Sequence, residues 1–153
     1  MPAIDALNLA PPAHAAALEL LRQHPDVVFT SGRRDAADQA RAMAGNIVWN
    51  RRWIGQTYRA TAERDQLQAW IDAHPEFKTR DTIAAGLLAI METWTDAQRG
   101  KLSRHFAGLA FDVQPVFGSP GEAIKATIRK LPGLVKFLEN EGGLVRWHAE
   151  FAP

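Results

Sequence analysis

The sequence contains no cysteine. Disulfides and thiolate metal sites are therefore excluded, and any metal ion has to be held by imidazole and carboxylate groups. Nor is there an excess of charge, since 18 Lys and Arg stand against 17 Asp and Glu, a net charge of +1. That balance argues against nucleic-acid binding driven by overall charge, although a local basic patch is still compatible with it. No apolar run reaches the length of about 18 residues that a membrane span needs. The opening MPAIDALNLAPPAHAAALELL has no basic segment leading into an unbroken apolar one, so no secretory signal is read. There are no internal repeats and no low-complexity tract.

What is present is the composition of one globular domain: 153 residues, 46% hydrophobic and 23% charged. A chain of this length buries about two-thirds of its unfolded surface and needs no covalent staples. The pattern predicts a helix over 11–24, opened by Pro11 and Pro12, then a short β-branched strand over 26–30 ended by Ser31-Gly32. Asp35 or Ser31 caps a helix running to about Trp53, Gly55–Tyr58 form a break, and Thr61 starts a helix closed by His74-Pro75. Another helix begins at Thr79-Arg80-Asp81. A turn at Gly108 then leads into a strand ending before Pro115. Residues 122–141 read as a helix broken at Pro132 and stopped by Gly142-Gly143, and LVRWHAEF reads as a final strand. The expected class is α+β, with a small antiparallel sheet packed with several helices.

His105 and Asp112 are seven residues apart. That offset spans about 23 Å in a strand and about 10 Å in a helix, so neither lets both side chains reach one ion. The chain has to turn between them, and Ala107-Gly108 is where it can. Asp112 then faces back towards His105, and His148 comes from a last strand that pairs nearby. Three ligands leave a fourth position open, which marks a catalytic metal site. On spacing alone, a His and an Asp at this distance also occur together by chance.

The string Ser103-Arg104-His105-Phe106-Ala107-Gly108-Leu109-Ala110-Phe111-Asp112 matches S-x-H-x-x-G-x-A-x-D. With Ser31-Gly32-Arg33-Arg34, the downstream Gln39 and the closing Trp147-His148-Ala149-Glu150, it resembles the zinc D-Ala-D-Ala carboxypeptidase and peptidoglycan endopeptidase superfamily, whose fold the hedgehog signalling domain shares. The resemblance spans residues 12–48 and 101–151. Residues 49–100 match no motif and are read as a helical insertion within a single domain.

The resemblance implies that His105, Asp112 and His148 hold Zn2+, that Arg34 binds a substrate carboxylate or carbonyl with Gln39 nearby, and that Ser103 hydrogen-bonds beside the site. A guanidinium suits the substrate task because its donors form a rigid fork. The implied activity is hydrolysis of an amide bond in peptidoglycan stem peptides, by a phage or prophage endolysin that stays cytoplasmic until released to the wall. The expected partner is peptidoglycan peptide, with no nucleic acid and no membrane span, acting as a monomer.

The family places a Glu or Asp three residues before the last histidine, where this chain has Val145. Valine cannot move a proton. Glu150 lies two residues after His148 and so on the same strand face, while Glu139 and Glu141 lie just before the Gly-Gly turn, and the hedgehog domain sets a precedent for a relocated carboxylate. Glu150 and Glu141 are the candidate catalytic carboxylates, with Glu150 also a candidate ligand orienter. The alternative is a zinc-binding cell-wall module that has lost catalysis. Trp49 and Trp53, four apart, are expected to pack inward while Arg51 and Arg52 stay in water, and Gly55–Tyr58 keep a weak substrate role. His14, His24 and His74 read as surface or capping residues.

Overall fold

A computed structural model describes residues 4–141 and 143–153. Along the chain run α1 (Pro11–Gln23), β1 (Phe29–Ser31), α2 (Ala36–Ile47), α3 (Trp53–Thr57), α4 (Ala62–Ala73), α5 (Arg80–Met91), α6 (Asp96–Leu102), β2 (Ala110–Val113), α7 (Ser119–Arg129), β3 (Leu134–Glu141) and β4 (Leu144–Phe151). The class is α+β, with seven helices and one four-stranded antiparallel sheet among the described residues. The chain divides into two compact units, one made of Met1–Arg33 with Ala107–Pro153 and the other of Arg34–Phe106.

The first unit holds the sheet, in the order β1-β2-β4-β3. Alternation along the strands sends Phe111, Val113, Trp147, Ala149 and Phe151 to one face, where they pack with Ala13, Ala16, Ala17 and Leu20 of α1 and Ile124 and Ile128 of α7. The α1 residues recur at helical spacing, so one stripe of that helix is buried. Pro11 and Pro12 start α1, where their missing N–H groups would have had no partner anyway. Phe111 stacks edge-on against Phe29 and tilts onto Phe151. The opposite face of the strands is left for Asp112, His148 and Glu150.

The second unit is helical and has its own apolar cluster, including Met43, Ile47, Trp53, Leu67, Ile83 and Leu87. Its helices start where side-chain oxygens accept otherwise unpaired backbone N–H groups. Asp35 accepts from Asp38, Thr61 from Arg64 and Thr79 from Thr82, and Thr95 with Gln98 forms a full capping box. Each such cap stabilises its helix by about 1 kcal/mol.

Several expectations are corrected. The segment 134–141 is a strand, not the end of a helix. The helix stops at Arg129 because Pro132 follows and Gly133 takes φ +80°, and the chain then pairs along β4 from Leu134↔Phe151 to Glu141↔Leu144. Glu139 and Glu141 therefore lie on β3. Of the Gly142-Gly143 pair read as a helix stop, Gly142 lies outside the described residues, and Gly143 sits in the turn between β3 and β4.

The first strand begins at Phe29, and Ser31 belongs to it instead of ending it. The helix from Asp35 ends at Ile47, and a separate short helix, α3, occupies part of the expected break. Trp49 falls in the turn after Ile47 and is 89% exposed, whereas Trp53 is buried, so the two do not share a buried face. Arg51 is not left in water, since its guanidinium donates to the carbonyls of Ile71, His74 and Phe77 and closes the C-terminal end of α4. No helix among the described residues is long and apolar enough to cross a membrane.

Candidate metal centre

Asp112 and His148 are direct cross-strand partners on β2 and β4. The row extends to Ser31, paired with Asp112 on β1, and to Leu138, paired with His148 on β3. Directly opposed residues put their side chains on the same face, a few ångströms apart. Asp112 Oδ1 lies 2.8 Å from His148 Nδ1, and Ser31 Oγ donates to Asp112 Oδ2 at 2.6 Å. The other ring nitrogen, Nε2, lies 3.0 Å from Glu150 Oε1. Glu141 approaches the same ring, with Oε2 4.0 Å from Nδ1.

These groups are almost out of solvent, with Asp112 9% and His148 6% exposed. Burial pulls the pKa of His148 down. The hydrogen bonds the ring makes to the Asp112 and Glu150 carboxylates and the charges of Asp112 and Glu141 push it up further still, to about 10. The ring is then an imidazolium donating to a carboxylate at each nitrogen. This pocket of negative charge favours any cation that takes the place of that proton.

His105 lies in a 3-10 turn, Arg104–Ala107, and is 3% exposed. Its N–H donates to Ser103 Oγ at 3.2 Å, so Ser103 fixes the turn that carries the imidazole. Its carbonyl accepts the Arg34 N–H at 3.1 Å, which ties the Arg34 backbone to that turn. Arg34 Nη1 reaches Gln39 Oε1 at 3.4 Å, and the fully buried Gln39 donates onward to the Tyr58 hydroxyl at 2.8 Å. Gly108 makes the expected turn with φ +73°. A Cβ there would meet the Arg33 guanidinium at 2.7 Å and the Ala10 nitrogen at 2.9 Å, so the backbone angle and the close approach both call for glycine.

One ligand atom each from His105, Asp112 and His148 lies within 4.8 Å of the others, a buried group able to hold a metal ion. Donor atoms about 2.0–2.1 Å from a tetrahedral ion stand about 3.3 Å apart. That separation falls between the 2.8 Å of the Asp112–His148 contact and the 4.8 Å within which the three ligand atoms lie. The surroundings suit the task. Ser31 satisfies the second oxygen of Asp112, and Glu150 holds Nε2 of His148, leaving Nδ1 beside Asp112.

Glu139 is not among the groups around His148. It pairs with Lys125 and Arg129, which hold its carboxyl below the usual carboxylate range. Val145, on β4 opposite Asn140, is 52% exposed. A larger groove in the first unit, about 750 Å³ between α1 and α7, contains none of the candidate ligands and has no link to this chemistry. The sequence offered Ser31 as an alternative helix cap, but Asp35 makes that cap and Ser31 instead holds Asp112; the sequence reading also missed Tyr58 as the partner of Gln39. The signal for Ser31 was a hydroxyl at a strand end, and its meaning depended on which strand lay beside it.

No protein-family model matches the chain, and neither curated proteins nor solved structures give a match.

Proposed function

We propose that the chain is a zinc-dependent peptidase acting on the peptide part of bacterial peptidoglycan, an endolysin-type endopeptidase or carboxypeptidase of the hedgehog-like fold. The supporting observation is the convergence of His105, Asp112 and His148 within 4.8 Å, from the same short strings that resemble that superfamily. Two imidazoles and one carboxylate are a donor set that suits zinc and leaves one coordination position open. A bound zinc ion would supply Lewis acidity, polarising a peptide carbonyl and lowering the pKa of water.

The protein's own groups take the remaining tasks. Glu150 is engaged at Nε2 and orients His148. Glu141, on the Nδ1 side of the ring, accepts the proton of the attacking water at Oε2 and delivers it to the leaving amine. Arg34 presents its guanidinium to a substrate carboxylate or carbonyl, held in place by its backbone bond to His105 and by Gln39.

The test is to incubate zinc-loaded protein with purified peptidoglycan and assay new amino groups. Release by the wild type that disappears in His105→Ala supports the peptidase. Val145 at the position of the family's usual acid favours a second reading, a zinc-binding wall module without catalysis. Zinc uptake with no release under any metal would favour that module.

A further inference from the structure

In the second unit, α3 and α4 border a cavity of about 560 Å³ lined by Arg52, Gly55, Gln56, Gln68 and Asp72. Small-ligand sites have about this volume but are mostly apolar, whereas this lining is polar, so it calls for a polar ligand. Both walls are organised by hydrogen bonds. Arg52 and Gln56 stand four residues apart, one helical turn, and Asn50 braces both. Its Oδ1 accepts the Arg52 backbone N–H at 3.1 Å, and its Nδ2 donates to Gln56 Oε1 at 2.9 Å. With Oε1 taken, the Gln56 amide has its NH2 left to offer. Gln68 and Asp72 are also four apart, on α4. Gln68 accepts the Gly55 N–H and donates to the Arg51 carbonyl and to Asp72 Oδ1, each at 2.9 Å. It thereby ties α4 to α3 and fixes Asp72 with Oδ2 unused. Among the described residues the Arg52 guanidinium, the Gln56 NH2 and Asp72 Oδ2 have no partner, and Arg52 and Asp72 line one cavity without pairing with each other.

A single exposed charge is an ordinary solvated group. Here uncommitted donors stand on one wall and a braced carboxylate on the other. The neighbouring charges are already engaged. Arg51 donates to the carbonyls of Ile71, His74 and Phe77, and Arg64 pairs with Asp65 and donates to the Gly55 carbonyl. A dianion such as phosphate would meet the Asp72 carboxylate, and a simple cation would meet the guanidiniums of Arg51, Arg52 and Arg64. A ligand carrying both signs satisfies both walls. We propose that this cavity binds a small zwitterion, an α-amino acid with a small or polar side chain. Its carboxylate lies in the Arg52 fork and on the Gln56 amide, and its ammonium lies on Asp72. The lining offers no apolar side chain to hold a large apolar one. None of the candidate metal ligands lines the cavity, so the site stands apart from the peptidase reading.

The experiment titrates isotope-labelled full-length protein with glycine and L-serine and follows the backbone amide signal of Gly55 and the side-chain amide signals of Gln56. Exposed ion pairs are individually weak, so a Kd in the millimolar range is expected. N-acetyl-L-serine, which lacks the ammonium, and L-serinamide, which lacks the carboxylate, should each bind at least tenfold more weakly than serine. Asp72→Asn should weaken serine at least tenfold and abolish its advantage over N-acetyl-L-serine. Arg52→Met should weaken it as much and abolish its advantage over L-serinamide. Circular dichroism checks that both variants fold. Signals that do not move with either amino acid, or unchanged serine affinity in either variant, overturn the proposal. So does equal binding of acetate, which would mark a plain anion site, or of glucose, which would mark a polyol site.

Discussion

Asp112 and His148 face each other across adjacent antiparallel strands, with Oδ1 2.8 Å from Nδ1, and each is held from behind by another side chain. Ser31 grips the far oxygen of Asp112, and Glu150 the far nitrogen of His148. Outer partners of this kind fix ring orientation and ligand basicity. Ser31→Ala and Glu150→Gln are therefore each expected to lower zinc affinity about 10–100-fold. His105→Ala, Asp112→Asn and His148→Ala should lower it further. Competition with a chromophoric chelator reads all five, and unchanged affinity in both partner variants would refute this account of the centre.

Glu141 and Glu150 can be separated by which quantity their loss affects. Glu141→Gln should keep zinc affinity and cut kcat about 10²–10⁴-fold, the range for removing a general acid–base group. Glu150→Gln should act mainly through the metal, with activity recovering as zinc is raised. If peptidoglycan release proceeds at full rate in both variants, neither carboxylate is the base.

The metal-stripped protein should lose stability as pH rises. His148 has a folded-state pKa of about 10 against an ordinary value of 6.5. A raised pKa means that the folded form holds its proton more tightly than the unfolded chain. The stabilisation is complete below about 6.5 and is lost as pH climbs through 10. Urea unfolding of chelator-treated protein should thus show a falling midpoint across that interval, and His148→Gln should flatten this part of the profile. A wild-type midpoint that rises over the same interval would contradict the assignment.

Gly108→Ala should destabilise the fold by about 1–3 kcal/mol, since alanine resists positive φ. Its Cβ would also press on the Arg33 guanidinium and the Ala10 nitrogen. The turn joins His105 to β2, so zinc affinity should fall as well. Thermal unfolding and the chelator assay together check this, and a variant as stable as the wild type would show that the turn relaxes without cost.

The sequence alone determined the ingredients that depend on neighbours along the chain. Thr61 and Thr79 announce helix starts because a cap acts within three residues, and Gly108 announces the turn because only its own backbone angle is at stake. The absence of cysteine confined any metal site to His and carboxylate, and the string from Ser103 to Asp112 with Trp147-His148 named the candidates. What tertiary structure decided is whatever depends on strand pairing. The segment 134–141 has apolar residues that suit a helix or a strand, and the open edge of β4 settled it as a strand. That pairing moved Glu141 towards His148 and left Glu139 to Lys125 and Arg129. The separate β1–β2 pairing put Ser31 beside Asp112, 81 positions away in sequence. Caps and turns are local free energies written in adjacent residues, whereas a ligand set exists only once a sheet register brings distant side chains within reach of one another.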